Sequence, residues 1–176
     1  LCHRDVKPAN IFFDEQNHAF LSDFGIATAN AQADADATQI NSQRTAIGYF
    51  VGSPSYAPPE AVRRKLGPAY DQYSLAVTVY EALTGSLPVV AETSLELMLT
   101  KNHAPARDIR DALPSLPVRS ARALMRALAI PADERFGSCA EFYREFAAGL
   151  EVVEAPAAGS RAPLWIGAAG LVALAA

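Results

Sequence analysis

Apolar and polar positions divide the chain into a short strand-forming start and a long helical remainder. Ile11-Phe12-Phe13 and Ala19-Phe20-Leu21 flank the polar run Asp14-Glu15-Gln16-Asn17, a pattern that predicts a small hairpin. Residues 29–46 hold Ala, Asp, Gln, Asn and Thr with no sustained apolar period and read as a loop. Gly52 to Glu60 is dense in Pro and Ser and reads as a shaped, irregular segment. Tyr73 to Leu83 is apolar on nearly every side, which predicts a buried helix, with Asp71 at its start and Gly85 past its end as caps. Ser94 to Lys101 predicts a short amphipathic helix, and His103 to Pro117, broken by prolines, a loop. Arg119 to Ala129 and Ser138 to Leu150 predict two further amphipathic helices parted by Pro131, the second opened by a capping box from Ser138 to Glu141.

The pattern changes again at the end. Ala162 to Ala176 carries no charge, with Trp165 near its start and Arg161 just before it. As a helix, residues 163–176 would rise about 21 Å, against about 30 Å of bilayer hydrocarbon. We expect the start of a transmembrane helix here, with Arg161 on its cytoplasmic flank and residues 151–162 as a juxtamembrane linker. This implies a single-pass protein of the cell membrane whose residues 1–150 are cytoplasmic. The competing reading is a small Ala/Gly-rich helix packed on the domain, or a tail.

Composition fits one ordinary domain. The 176 residues are 51% hydrophobic and 19% charged. A net charge of −4 with no basic stripe argues against a nucleic-acid partner. Cys2 and Cys139 give neither a disulfide framework nor metal-ligand spacing. His18 and His103 read as surface or packing residues. The first residue is Leu1, so the chain is expected to be part of a longer product.

The candidate chemistry lies at the beginning. His3-Arg4-Asp5-Val6-Lys7-Pro8-Ala9-Asn10 is followed, eighteen residues after Asp5, by Asp23-Phe24-Gly25. Phosphoryl transfer needs positioning and charge neutralisation more than covalent chemistry. Asp5 is suited to accept the proton of an acceptor hydroxyl, and Lys7 to place an ammonium near the transferring phosphate. Asn10 and Asp23 offer oxygen ligands suited to Mg²⁺. Each alone reads as a surface charge or turn residue; their joint spacing is what points to catalysis.

Together with Gly52 to Glu60, Asp71 to Gly85 and Arg135, these motifs resemble the C-terminal lobe of a bacterial, membrane-anchored, eukaryotic-like serine/threonine protein kinase, over Leu1 to about Leu150. The implied fold is mainly α, a kinase C-lobe with a small β-hairpin, catalytic and activation loops and a helical bundle. ATP and Mg²⁺ are the implied cofactors, and protein Ser/Thr hydroxyls the implied acceptors. Lys7 is similar to the serine/threonine class. Ser53 stands where the family usually has Thr, where its hydroxyl would bond Asp5 and Lys7; Tyr56 lies in the same segment. His3 and Phe24 match stacking spine positions. Asp71 matches the residue that holds the catalytic-loop backbone, and Glu60 and Arg135 a buried ion pair. Arg4 would receive an activation-loop phosphate, with Thr38 and Thr45 as leading acceptors beside Thr28 and Ser42.

One departure is Ala57-Pro58-Pro59-Glu60, where Pro58 removes a backbone donor and puts acceptor preference in doubt. No Gly-rich phosphate loop, and no strand Lys followed by a helix Glu, occurs in the 176 residues. Two other readings stay open: a pseudokinase-like, partner-binding lobe, and a small-molecule phosphotransferase, which would lack the Asp23 to Glu60 pattern. The half-interface left open, Phe24 included, would favour self-association, a dimer among the possible forms.

Overall fold

The computed structural model describes residues 2–24, 53–63 and 67–151. It is mainly helical, with one two-stranded sheet. A 3-10 turn, Pro8–Asn10, leads into β1 (Ile11–Phe13), which pairs antiparallel with β2 (Ala19–Leu21), Phe12 opposite Phe20. The connecting turn is closed by the Asp14 carboxylate, which accepts from the backbone N–H of Gln16 and of His18. His18 is exposed, as expected, yet has an acidic partner in Asp14 at 3.0 Å.

A second 3-10 turn, Pro59–Arg63, precedes α1 (Pro68–Thr84), the central helix. The expectation that Asp71 caps this helix is corrected. Gly67 is the N-cap and Pro68 takes the first helical position, where a missing N–H costs nothing. That frees Asp71, one turn in, for a different task. At the other end Gly85 adopts φ 70 and donates its N–H to Glu81 O, as the glycine stop predicts. Every residue from Gln72 to Tyr80 is buried. Ser74 and Thr78 are tolerated there because their hydroxyls bond the carbonyls of Tyr70 and Ser74, one turn back.

Helices α2 (Ser94–His103), α3 (Ile109–Ala112), α4 (Val118–Ala127) and α5 (Cys139–Glu151) complete the order. α2 is N-capped by Thr93, whose side chain accepts from Glu96 N–H. α3 interrupts the stretch expected to be loop, held by an Asp108 cap too local for an apolar period to reveal. Ser138 Oγ accepts from Glu141 N–H, while the Glu141 carboxylate reaches back to Gly137 N–H, one residue beyond the ordinary capping box. α1, α4 and α5 enclose the core, in which Leu75, Val77, Leu124, Phe142 and Phe146 are almost wholly buried. No helix among the described residues is long and apolar enough to cross a membrane. The expected loop 29–46, Gly25, Gly52, the linker from 152 and the apolar tail lie outside the described residues.

Candidate active site

The residues of the candidate catalytic loop bond to α1 through Asp71 and to the residue after β2 through Ser22. Asp71 Oδ2 accepts from His3 N–H and Asp71 Oδ1 from Arg4 N–H, both at 2.7 Å. These bonds hold Arg4 at φ 68, a left-handed conformation a non-glycine residue adopts at a cost of about 1–3 kcal/mol. The expected role of Asp71, holding the loop backbone, thus has a geometric form. His3 is buried; its Nε2 lies 2.6 Å from Ser22 O and its Nδ1 accepts from Asp5 N–H. That pattern fits a neutral ring protonated on Nε2. Phe24 meets His3 edge-on, with centroids 4.6 Å apart and planes at 76°, rather than stacked.

Asp5 is buried and surrounded by donors. Lys7 Nζ lies 2.7 Å from Asp5 Oδ2 and also donates to Ser53 Oγ at 2.9 Å. Asn10 Nδ2 donates to Asp5 O at 2.8 Å and to Asp5 Oδ2 at 3.2 Å. Ser53 backbone N–H donates to Asp5 Oδ1 at 3.0 Å. The expected arrangement is refined here: the Ser53 hydroxyl serves Lys7, and its amide reaches Asp5. Burial pushes the Asp5 carboxyl up, but the hydrogen bond and charge of Lys7, with Asn10 and Ser53, outweigh it and hold Asp5 below the usual carboxylate range.

The residues fit a hard cation. Asn10 commits its amide N–H groups to Asp5, and among the described residues no donor bonds its Oδ1. Ser22 N–H and Oγ both bond Asn10 O, so the hairpin tethers Asp23 one residue from the Asn10 backbone. Asp23 is exposed and adopts φ 63. An amide oxygen and a carboxylate suit Mg²⁺, which keeps several waters and needs few protein ligands.

The segment after Ser53 is held from three sides. Tyr56 Oη donates to Glu81 Oε2 at 2.7 Å, and burial with the nearby Glu81 carboxylate pushes the phenol pKa well up. This points Tyr56 at α1 rather than into the Asp5 cluster. Arg135 grips Glu60 at both ends, Nη1 to Oε1 at 2.7 Å and Nη2 to Oε2 at 2.8 Å. Three carbonyls, of Ala69, Ala129 and Ile130, accept its remaining bonds. Two contributors were missed by the sequence reading. Gln72 bonds both the N–H and the C=O of Phe136, fixing the backbone beside Arg135. Lys101 is buried against the carbonyls of Pro54, Ser55 and Ala57. Thr28, Thr38, Ser42 and Thr45 lie outside the described residues, so the phosphate partner expected for Arg4 does too.

Comparison with known proteins agrees with this geometry. Residues 1–133 match the family model described as protein kinase domain. Serine/threonine-protein kinase PknL of Mycobacterium tuberculosis is similar, with 38% identity over 98 residues, 55% of this chain and 22% of that protein. Serine/threonine-protein kinase PknB of Mycolicibacterium smegmatis is 32% identical over 146 residues, 80% of this chain and 22% of its own length. Serine/threonine-protein kinase Pkn1 of Myxococcus xanthus is 33% identical over 147 residues, 81% of this chain and 20% of its own length. The chain therefore spans about a fifth of the length of these curated relatives.

Proposed function

The chain belongs to the protein kinase domain family, and on that premise we propose that it is the C-terminal catalytic lobe of a bacterial serine/threonine kinase that phosphorylates proteins. The observation that carries this reading is the bonded set Asp5, Lys7, Asn10 and Ser53. Asp5, kept ionised by its donors, accepts the proton of the acceptor Ser or Thr hydroxyl. The acceptor oxygen forms the new bond to the γ-phosphorus of ATP as the β,γ-bridging P–O bond breaks and ADP leaves. Lys7 balances the charge gathered on the transferring group and, through Ser53, fixes where the acceptor segment lies. Asn10 Oδ1 and Asp23 are the groups that would hold Mg²⁺, which supplies neutralisation of the phosphate charge.

The exposed aromatic face of the hairpin, Phe12, Phe20 and Phe24, supports a second, ATP-binding lobe closing beside this site. Residues 1–176 by themselves are inactive on this reading, because half of the nucleotide pocket is contributed elsewhere. The uncharged run 162–176 supports a membrane tether that keeps the lobe at the cytoplasmic face.

The test is transfer of labelled γ-phosphate from ATP by the whole kinase, offered a protein acceptor and an aminoglycoside together. Phosphoserine and phosphothreonine are expected. Label on the aminoglycoside would favour small-molecule phosphotransfer, and no transfer at all a pseudokinase-like lobe. Robust autophosphorylation by residues 1–176 alone would remove the inactivity claim.

A further inference from the structure

The last turn of α2 sends a lysine into the protein rather than out of it. Lys101 is 1% exposed. Its three N–H donors meet three backbone carbonyls, Pro54 O at 2.9 Å, Ser55 O at 2.7 Å and Ala57 O at 2.9 Å. Among the described residues no carboxylate pairs with it, and the Tyr73 ring offers its face at 5.6 Å. Burial pulls its pKa down to about 7, while the three carbonyl acceptors around Nζ favour the charged form and oppose that shift. A buried cation lacking a counter-ion is costly unless its donors are satisfied, so this ammonium is specific to the backbone it binds.

That backbone is the acceptor-side turn. Tyr56 N–H and Ala57 N–H both bond Ser53 O, curling residues 53–57 so that their carbonyls converge on one point. Asn102, the next residue of α2, adds Nδ2 to Pro59 O at 3.3 Å. The opposite edge of the same turn carries the Ser53 amide on Asp5 and the Ser53 hydroxyl on Lys7. One short turn therefore joins a buried lysine to the catalytic carboxylate.

We propose that Lys101 is a positioning residue for the protein acceptor: its ammonium organises the 53–57 turn from beneath, and so keeps Ser53 bonded to Asp5 and Lys7. The proposal rests on the protein kinase reading above. An ammonium suits the position because it directs three donors from a single atom, whereas the guanidinium fork of arginine spreads them in a plane. Methionine keeps most of the stem volume and removes every donor.

Two measurements on Lys101→Met test this. In the whole kinase, kcat/KM for the protein acceptor should fall by about 10–100-fold, as for a misplaced reacting group, while the KM for ATP stays unchanged. Equal losses for both substrates, or no loss, overturn the proposal. In the 176-residue chain, hydrogen exchange at the Tyr56 and Ala57 amides should accelerate by about tenfold or more, with α1 amides unaffected. Unaltered exchange there also overturns it. Should the methionine variant fail to fold, Lys101→Arg replaces it: charge and donors remain, so intermediate exchange and a smaller kinetic loss are expected, and wild-type values for both count against the role. Absence of transfer by the unsubstituted kinase would count against the proposed function instead, leaving the exchange result to decide the clamp.

Discussion

Arg135 and Glu60, 75 positions apart, are joined by two parallel charge-assisted bonds in a site where the arginine side chain is wholly buried. The pair ties the end of the 53–60 segment to the loop ahead of α5. Because the guanidinium cannot shed its charge, Glu60→Ala leaves it buried with carbonyl partners alone. We expect a loss of about 3–5 kcal/mol, read by urea denaturation of the chain with helical circular dichroism. A loss under about 1 kcal/mol would place the pair with surface ion pairs. Replacing both partners with apolar residues should recover part of the loss.

Asp71 spends both carboxylate oxygens on the backbone N–H groups of His3 and Arg4, in the candidate catalytic loop. Asn offers one oxygen and an NH₂ group, which faces one of those N–H donors as a second donor. Asp71→Asn should therefore cost about 1.5–3 kcal/mol and release Arg4 from its left-handed conformation. Loss of protection at the His3 and Arg4 amides in hydrogen exchange is the readout; unchanged protection would mean the loop holds itself.

Much of this site was legible because its parts are close in sequence or carry fixed chemistry. Asp5, Lys7 and Asn10 fall within one loop, whereas Asp71, Glu60 and Arg135 were placed by the family resemblance and not by any local pattern. What escaped depends on tertiary placement. Lys101 shares the buried face of α2 with Leu97 and Met98, while Leu95 and Leu99 are left exposed. A lysine in register with apolar positions was the available signal, but polarity alone assigns it to the outer face. The start of α1 was misplaced because Asp71 is a good capping residue by type; the family resemblance had already pointed its carboxylate at the loop backbone, and the two roles compete for the same oxygens. That Ser53 gives its amide to Asp5 and its hydroxyl to Lys7 follows from backbone direction, which residue types do not encode.

Helix α5 crosses α4 closely at Gly149. A Cβ there would overlap Ser120 N and Oγ, and Ser120 is already fixed by donating its hydroxyl to Phe146 O. The obstacle includes backbone, so a simple side-chain rotation does not relieve it. Gly149→Ala should destabilise by about 1–3 kcal/mol, despite the better helix propensity of alanine. An unchanged midpoint in thermal denaturation would show that the two helices can separate freely at this crossing.

The hairpin carries an unpartnered apolar face. Phe12 and Phe20 are opposite one another across the strands, at 56% and 53% exposure, and Phe24, three residues after β2, is 49% exposed. Clustered exposed aromatics of this kind favour association. Sedimentation velocity on residues 1–176 should show concentration-dependent association that Phe12→Ser with Phe20→Ser suppresses. Association that persists unchanged in the double variant would locate it on another surface.

Asp5 titrates below the usual carboxylate range although burial pushes it upward, because Lys7, Asn10 and Ser53 favour its ionised form. A carboxyl depressed on folding adds stability that is fully present above its unfolded pKa of about 3.9 and is lost as pH falls through the lower folded value. Lys7→Met removes the largest favourable partner. It should raise the Asp5 titration, followed by carboxyl NMR, and shrink the acid-side stability that Asp5 contributes. In the whole kinase, Asp5→Asn should lower kcat by about 10²–10⁴-fold, the range for a lost general base. The two substitutions separate function from fold. If Asp5 acts as the base, its replacement removes activity at every pH, whereas Lys7→Met leaves a residual rate whose acid limb moves upward with the Asp5 titration. An acid limb that stays in place would assign proton acceptance to another group.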